Sequence, residues 1–217
     1  MNLDRLLLSI KLKVASLFES GDYWDARYRA GDNSGEGSYG KFAKFKAQVL
    51  NQFVEKNNIQ TVIEWGCGDG NQLKLSNYPN YIGFDISQKA IEICKGEFIS
   101  DETKEFMLNE AFDGHIAELT LSLDVVYHLV EDRVFNDYMQ RLFKSASKYV
   151  IVYSSNTDKQ AMIQVPHVRH RKFTEWVSEN QKGWKLIECI PNEHSIKNSK
   201  KDGSFADFYI FSKINSV

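Results

Sequence analysis

Long apolar runs, paired cysteines and prolines are scarce in this 217-residue chain, and each shortage removes a class of protein. No stretch approaches the roughly 18 apolar residues a helix needs to cross a bilayer. The three cysteines, Cys67, Cys94 and Cys189, stand far apart, without the spacing of a zinc site or a disulfide framework. Reduced thiols in a cytoplasmic protein are therefore expected. Three prolines, no repeat and no low-complexity segment leave nothing that reads as a linker. Net charge is also small: 27 Lys and Arg face 29 Asp and Glu, giving −2. Such a chain has no overall electrostatic drive toward nucleic acid. No metal set stands out, since His167 and His170 are close but have no Asp or Glu at ligand spacing.

What remains is an ordinary globular composition, 42% hydrophobic and 26% charged, long enough for one sizeable core. The first stretch, MNLDRLLLSIKLKVASLF, has its apolar run broken by Lys11 and Lys13 and lacks a clear cleavage site. It reads as an amphipathic helix covering the domain or a partner, with a surface-lying membrane helix as the alternative. Residues 22–40 mix aromatics, charges and glycine without periodicity and read as a structured loop. From Lys41 to Lys56 apolar residues recur at helical spacing.

Strands and helices then alternate. TVIEW (61–65), YIGFD (81–85), EFMLN (105–109), a fourth strand within SLDVVYHL (122–129) and KYVIVYS (148–154) read as strands. Helices are expected from Ser87 to about Gly96, over 131–146 and over 172–180, with late strands at 184–190 and 206–213. This alternation predicts an α/β domain with a mainly parallel sheet and an antiparallel addition at its edge. Residues 1–58 are expected to form an N-terminal helical cap and residues 59–217 the main domain.

The strongest signal is VIEWGCGDGNQL, where Gly66, Gly68 and Gly70 follow the first strand. Glycines let a ligand approach the backbone closely at such a turn. The spacing departs from the dinucleotide fingerprint, whose third glycine comes three places after the second. Glu64 lies inside the strand, where it would repel a pyrophosphate and suit a phosphate-free cation. Asp85, ending the second strand, is placed to accept hydrogen bonds from both ribose hydroxyls, with Ile86 against an adenine. Together these residues point to S-adenosylmethionine, which carries a sulfonium and an α-amino group.

The segment from Glu64 to Gly70, the acidic strand end at Asp85, and SLDVVYHLVED resemble the class I S-adenosylmethionine-dependent methyltransferases. The resemblance implies a Rossmann-like seven-stranded sheet in the order 3-2-1-4-5-7-6, the last strand antiparallel. It implies cofactor contacts from Glu64, Gly66, Cys67, Gly68, Asp69, Gly70, Asp85, Ile86 and Asp124. Many members place an Asp at the third strand end to meet the adenine amine; here Asn109 and Glu110 stand there. With YWDARY and SGEGS, the chain further resembles small bacterial methyltransferases of the nodulation and surface-glycan type, which cap the cofactor with an N-terminal segment.

The transferred methyl is expected near the end of the fourth strand. His128 is the candidate base, since its ordinary pKa lies near neutrality, with a hydrogen-bonded structural histidine as the competing reading; Tyr127 is placed beside the substrate. Tyr23 or Tyr28 is a candidate for lining the sulfonium pocket, and Arg27 for gripping the methionine carboxylate, with aromatics packed on the domain edge as the competing reading. The cluster His167, Arg169, His170 and Arg171 would suit an acceptor with a carboxylate or phosphate, such as an acidic sugar; a solvated basic loop or an RNA-backbone contact is the alternative. The expected activity is O-methylation of a sugar or glycan hydroxyl. The alternatives are amine or nucleic-acid methylation on the same fold, or a non-catalytic cofactor-binding module.

Overall fold

The computed structural model describes residues 18–160, 165–196 and 203–214. The stretch read as an amphipathic N-terminal helix lies, except for Phe18, outside the described residues. Seven strands form one sheet: β1 (Thr61–Trp65), β2 (Asn80–Asp85), β3 (Lys104–Leu108), β4 (Ala117–Leu123), β5 (Ala146–Ser154), β6 (Trp184–Ile190) and β7 (Asp207–Lys213). Their order is β3-β2-β1-β4-β5-β7-β6. β1 to β5 pair in parallel, and β7 runs antiparallel between β5 and β6. This is the sheet expected from the alternation of elements.

Five α-helices are described: α1 (Ser20–Arg29), α2 (Gly40–Lys56), α3 (Gln88–Glu97), α4 (Asp132–Lys144) and α5 (Phe173–Asn180). Period-two alternation along the strands sends successive side chains to opposite faces, and each face is covered by helices. Val62, Tyr81, Leu119 and Tyr153 pack with Leu50 of α2 and Ile91 of α3. Ile63, Trp65, Val150 and Val152 pack with Met139 of α4 and Phe173 of α5. α3 begins where expected, with Ser87 Oγ accepting from Ala90 N.

Two expectations are corrected. Residues 22–40 are not a loop throughout, because α1 occupies 20–29. Its only buried residues are Ser20 and Tyr28, so an apolar stripe never marked it. The fourth strand ends at Leu123, before most of the segment expected to hold it. Asp124 follows at φ 61°, a left-handed conformation that breaks the ladder, and 126–128 form a 3₁₀ turn.

At the outer edge, β6 is exposed along most of its length, and Ile187 is an extra residue between the Leu186–Phe211 and Glu188–Ile210 pairs.

Candidate active site

β1 sits beside β2 on one side and β4 on the other, and the chain's direction of winding reverses between β1 and β4. Ligands of open α/β sheets bind outside the strand carboxyl ends at such a reversal. A cleft of about 630 Å³ opens there, lined by the ends of β1, β2 and β4, by the turn after β3 and by α1 and α4.

The glycine turn forms its floor. Gly66, Gly68 and Gly70 have φ of 83°, 58° and 75°, which L side chains rarely adopt. A Cβ on Gly68 would lie 2.8 Å from Tyr28 Oη and closer still to Ser34 Oγ. Asp85 is buried; its carboxylate accepts from Gly68 N and Ser87 N, both at 2.9 Å. Burial nonetheless raises its pKa. Glu64 is also buried, accepts from Tyr81 Oη at 2.7 Å, and is pushed by burial up to about 7. Asn109 borders the cleft with a buried Oδ1 that has no hydrogen-bond partner. Ile86, half exposed, and Glu110 lie on the same lining.

At the end of β4, Asp124 accepts from Lys46 Nζ at 2.6 Å and from Tyr127 Oη at 2.8 Å. Lys46 comes from α2 and is wholly buried. Sequence reading missed it, although Ala43, Lys46, Leu50 and Val54 share one helical face and the other three are buried. His128 lines the cleft; its Nδ1 lies 2.7 Å from the His167 carbonyl oxygen. A carbonyl only accepts, so Nδ1 carries the proton and Nε2 is the basic nitrogen of the neutral ring. Burial pushes its pKa down to about 4.

α1 crosses above this floor. Ser20 donates from N and Oγ to the two oxygens of Glu131, at 2.7 and 2.6 Å. On the other side Ser87 Oγ donates to Asp25 at 3.0 Å. Asp69 faces the N-terminal segment, accepting from Ser34 N and Tyr39 Oη. Burial opposes its ionisation, but these bonds and one from Asn71 N leave its pKa lowered.

Thus Glu64, Gly66, Cys67, Gly68, Asp85, Ile86, Asn109, Glu110, Asp124 and His128 converge on one cleft. Other candidates do not reach it. Asp69 is a tether to the N-terminal segment, and Gly70 packs toward Cys94 and Phe98. Tyr23 stacks on His167 with centroids 4.6 Å apart, and Arg27 Nε donates to Asn33 O. Because 20–29 is helical, Trp24 and Tyr28, rather than Tyr23 and Arg27, turn toward the cleft. Tyr127 is buried under Asp124 rather than facing the cleft.

The basic cluster is likewise redirected. Arg169 donates to Val130 O, and Arg171 to Leu129 O and Val130 O; both pair with Asp132. His170 lies 2.7 Å from Ser155 Oγ. Arg169 and Arg171 thus fasten the turn after β4, while His170 is held against the segment after β5.

Nine residues on the cleft lining are Asp or Glu, and two, Lys46 and Arg141, are cationic. Few anionic ligands would enter such a site, and a cation would be favoured.

No family model matches the chain, and no curated protein matches it. Solved structures do. The N-methyltransferase NodS from Bradyrhizobium japonicum WM9, in complex with S-adenosylhomocysteine, aligns over 91% of this chain and 100% of its own, with a TM-score of 0.69 and 11% identity. Magnesium protoporphyrin IX methyltransferase ChlM from Synechocystis PCC 6803, with bound S-adenosylmethionine, covers 90% of this chain and 98% of its own at TM-score 0.63 and 14% identity. The methyltransferase domain of bacterial CtHen1-C covers 79% of this chain and 98% of its own at TM-score 0.61 and 16% identity. With its strand order, its crossover site and these neighbours together, the chain has the Rossmann-like fold of the S-adenosylmethionine-dependent methyltransferases.

Proposed function

We propose that the protein is a methyltransferase that binds S-adenosylmethionine in the cleft at the ends of β1, β2 and β4. The observation carrying this reading is the site's chemistry. The floor is a glycine turn held by a buried carboxylate, the lining is overwhelmingly acidic, and a buried amide oxygen on Asn109 awaits a donor. A sulfonium and an ammonium suit the carboxylates, and an adenine amine suits Asn109 Oδ1. A pyrophosphate would meet Glu64, Asp85 and Asp124, which disfavours a nicotinamide cofactor. Asp85 would meet the ribose, and Glu64 and Asp124 the amino-acid end. When bound, the cofactor supplies a methyl carbon activated by its sulfonium for in-line displacement.

The protein's part is mainly alignment, which supplies on the order of 7–11 kcal/mol in well-oriented reactions. His128 Nε2, fixed by the bond from Nδ1 to His167 O, is placed to take the proton of a hydroxyl acceptor. Its low basicity limits how much it adds. The acceptor we favour is a small molecule with a neutral hydroxyl, such as a sugar; an acidic sugar loses its support because Arg169 and Arg171 are engaged elsewhere. Amine methylation is the second reading, favoured by the acidic lining and needing no strong base. We read residues 1–58 as the cap and 59–217 as the catalytic domain. No helix among the described residues is long and apolar enough to cross a membrane.

Calorimetry on ligand-stripped protein tests this directly. S-adenosylhomocysteine is expected to bind at one site and NADH not to bind; the opposite pattern would sink the assignment.

A further inference from the structure

His128 is oriented by a residue that is itself held by the roof helix. The torsion that turns an imidazole is soft and roughly two-fold, so the ring alone does not decide which nitrogen carries the proton. Here one bond decides it, from Nδ1 to the His167 carbonyl oxygen at 2.7 Å. His167 lies between β5 and α5, and Arg169 N, two residues on, donates to Tyr127 O at 2.8 Å. That bond ties the segment to the 3₁₀ turn on which His128 stands.

The rings form a connected set. His167 stacks on Tyr23 of α1, with centroids 4.6 Å apart and planes 8° apart, and on His128 itself at 5.4 Å and 26°. Trp24, the next residue of α1, meets His128 edge-on at 4.8 Å, and Tyr127 lies against the same imidazole at 4.4 Å. Two successive side chains of the roof therefore bear on the histidine pair, one on the candidate base and one on the residue that orients it. The other fasteners of α1, Ser20 to Glu131 and Asp25 to Ser87, touch neither histidine. Burial above all, with the charge of Arg27 adding to it, disfavours protonation of both rings. Near neutral pH the tautomer, not the charge, is the property left to fix. Neither Tyr23 nor His167 lines the cleft, so an effect of theirs on the chemistry has to pass through His128.

Resting on the methyltransferase reading with a hydroxyl acceptor, we propose that Tyr23 and the ring of His167 are positioning residues for His128. Seating α1 presses Tyr23 onto His167, which keeps the His167 carbonyl on Nδ1 and leaves Nε2 as the unprotonated nitrogen. The base is complete only with the roof in place. When α1 lifts, His167 loses one face of its stack, its carbonyl loosens from Nδ1, and the imidazole can exchange the roles of its nitrogens. Proton removal is thereby tied to the closed site.

The test is proton and nitrogen nuclear magnetic resonance of the histidine rings in the intact, ligand-stripped protein, with calorimetry on S-adenosylhomocysteine alongside. His128 should carry its proton on Nδ1 and exchange it slowly with solvent. Loss of one aromatic contact predicts that Tyr23→Ala and His167→Ala each speed this exchange about two- to tenfold. Tyr23→Phe and His167→Phe, which keep the stack, should retain the original rate. His167→Ala keeps the accepting carbonyl, so its effect belongs to the ring. Tyr23 is partly exposed and off the cleft, so Tyr23→Ala should bind S-adenosylhomocysteine within about threefold of the unaltered protein. A proton on Nε2, or an exchange rate unmoved in both alanine variants, would overturn the proposal and leave the methyltransferase reading standing. Amide exchange along β4 speeding up by the same factor would show lost stability rather than positioning and overturn it too. So would a loss of affinity of more than about tenfold in Tyr23→Ala, which would place Tyr23 on the ligand itself. If Tyr23→Ala does not fold, His167→Ala decides. Failure of S-adenosylhomocysteine to bind the unaltered protein would overturn the methyltransferase reading and the proposal with it.

Discussion

At the floor of the cleft, Asp85 holds the amides of Gly68 and Ser87, and the strands beneath are joined by continuous backbone ladders. Above it, α1 is fastened across the opening by two carboxylates, Glu131 on Ser20 and Asp25 on Ser87, and buries only Ser20 and Tyr28. Moving the floor means breaking the sheet. Lifting the roof means exchanging a few hydrogen bonds with water, each worth about 0.5–1.5 kcal/mol net. The floor should therefore set which ligand binds, and the roof how it enters and leaves.

The sharpest break in that contrast should come from Gly68→Val. Its φ of 58° and the nearness of Tyr28 and Ser34 leave no room for a side chain. Strain of roughly 3 kcal/mol is expected, with S-adenosylhomocysteine binding weakened about 100-fold by calorimetry. Unchanged affinity would mean that the floor does not select the ligand.

Glu64 gives a comparable effect on stability. Burial raises its pKa from 4.5 to about 7, so the folded state holds a proton that the unfolded state has released. Its favourable contribution is complete below pH 4.5 and fades as pH rises to about 7. Glu64→Gln, which keeps an acceptor for Tyr81, should lose this dependence and be more stable at pH 8 by up to about 3 kcal/mol. Melting temperatures of the two proteins at pH 5 and pH 8 check this, and parallel curves would refute it.

Asn109→Ala should weaken S-adenosylhomocysteine binding about five- to tenfold, the worth of one hydrogen bond. It should leave the ligand-free melting temperature unchanged or higher, because its Oδ1 has no partner there. Equal affinity would remove Asn109 from the adenine site. The smallest effect belongs to the roof: Glu131→Gln should change affinity by less than about threefold, since the bonds to Ser20 are weakened rather than lost. Amide exchange in residues 20–29 should nevertheless speed up. A large loss of affinity with unchanged exchange would make the roof part of the binding floor.

The sequence made the floor legible and the roof obscure, for physical reasons. Strand alternation, the glycine turn and the acidic end of β2 are local patterns with direct backbone consequences. α1 carries no apolar stripe, so periodicity passes over it and gives no sign that Trp24 and Tyr28 face the cleft while Tyr23 stacks on His167. β4 was placed too far along because DVVYHL stays apolar past Leu123, and a positive φ at one aspartate has no reliable sequence mark. The engagement of the arginines of 165–172 has no sequence mark, because a guanidinium satisfies itself equally on a ligand carboxylate or on the carbonyls of Leu129 and Val130. Lys46 was hidden by its charge, although its position on the helix face announced burial.

The extra residue at Ile187 has a consequence far from the cleft. An outermost strand with unpaired amides invites a second chain to dock alongside it. The kink that Ile187 introduces, beside the charges of Lys185 and Glu188, makes that ladder a poor template. A protein lacking Ile187 would present a straighter rim and should clump in concentrated solution, with the cleft at the strand ends untouched.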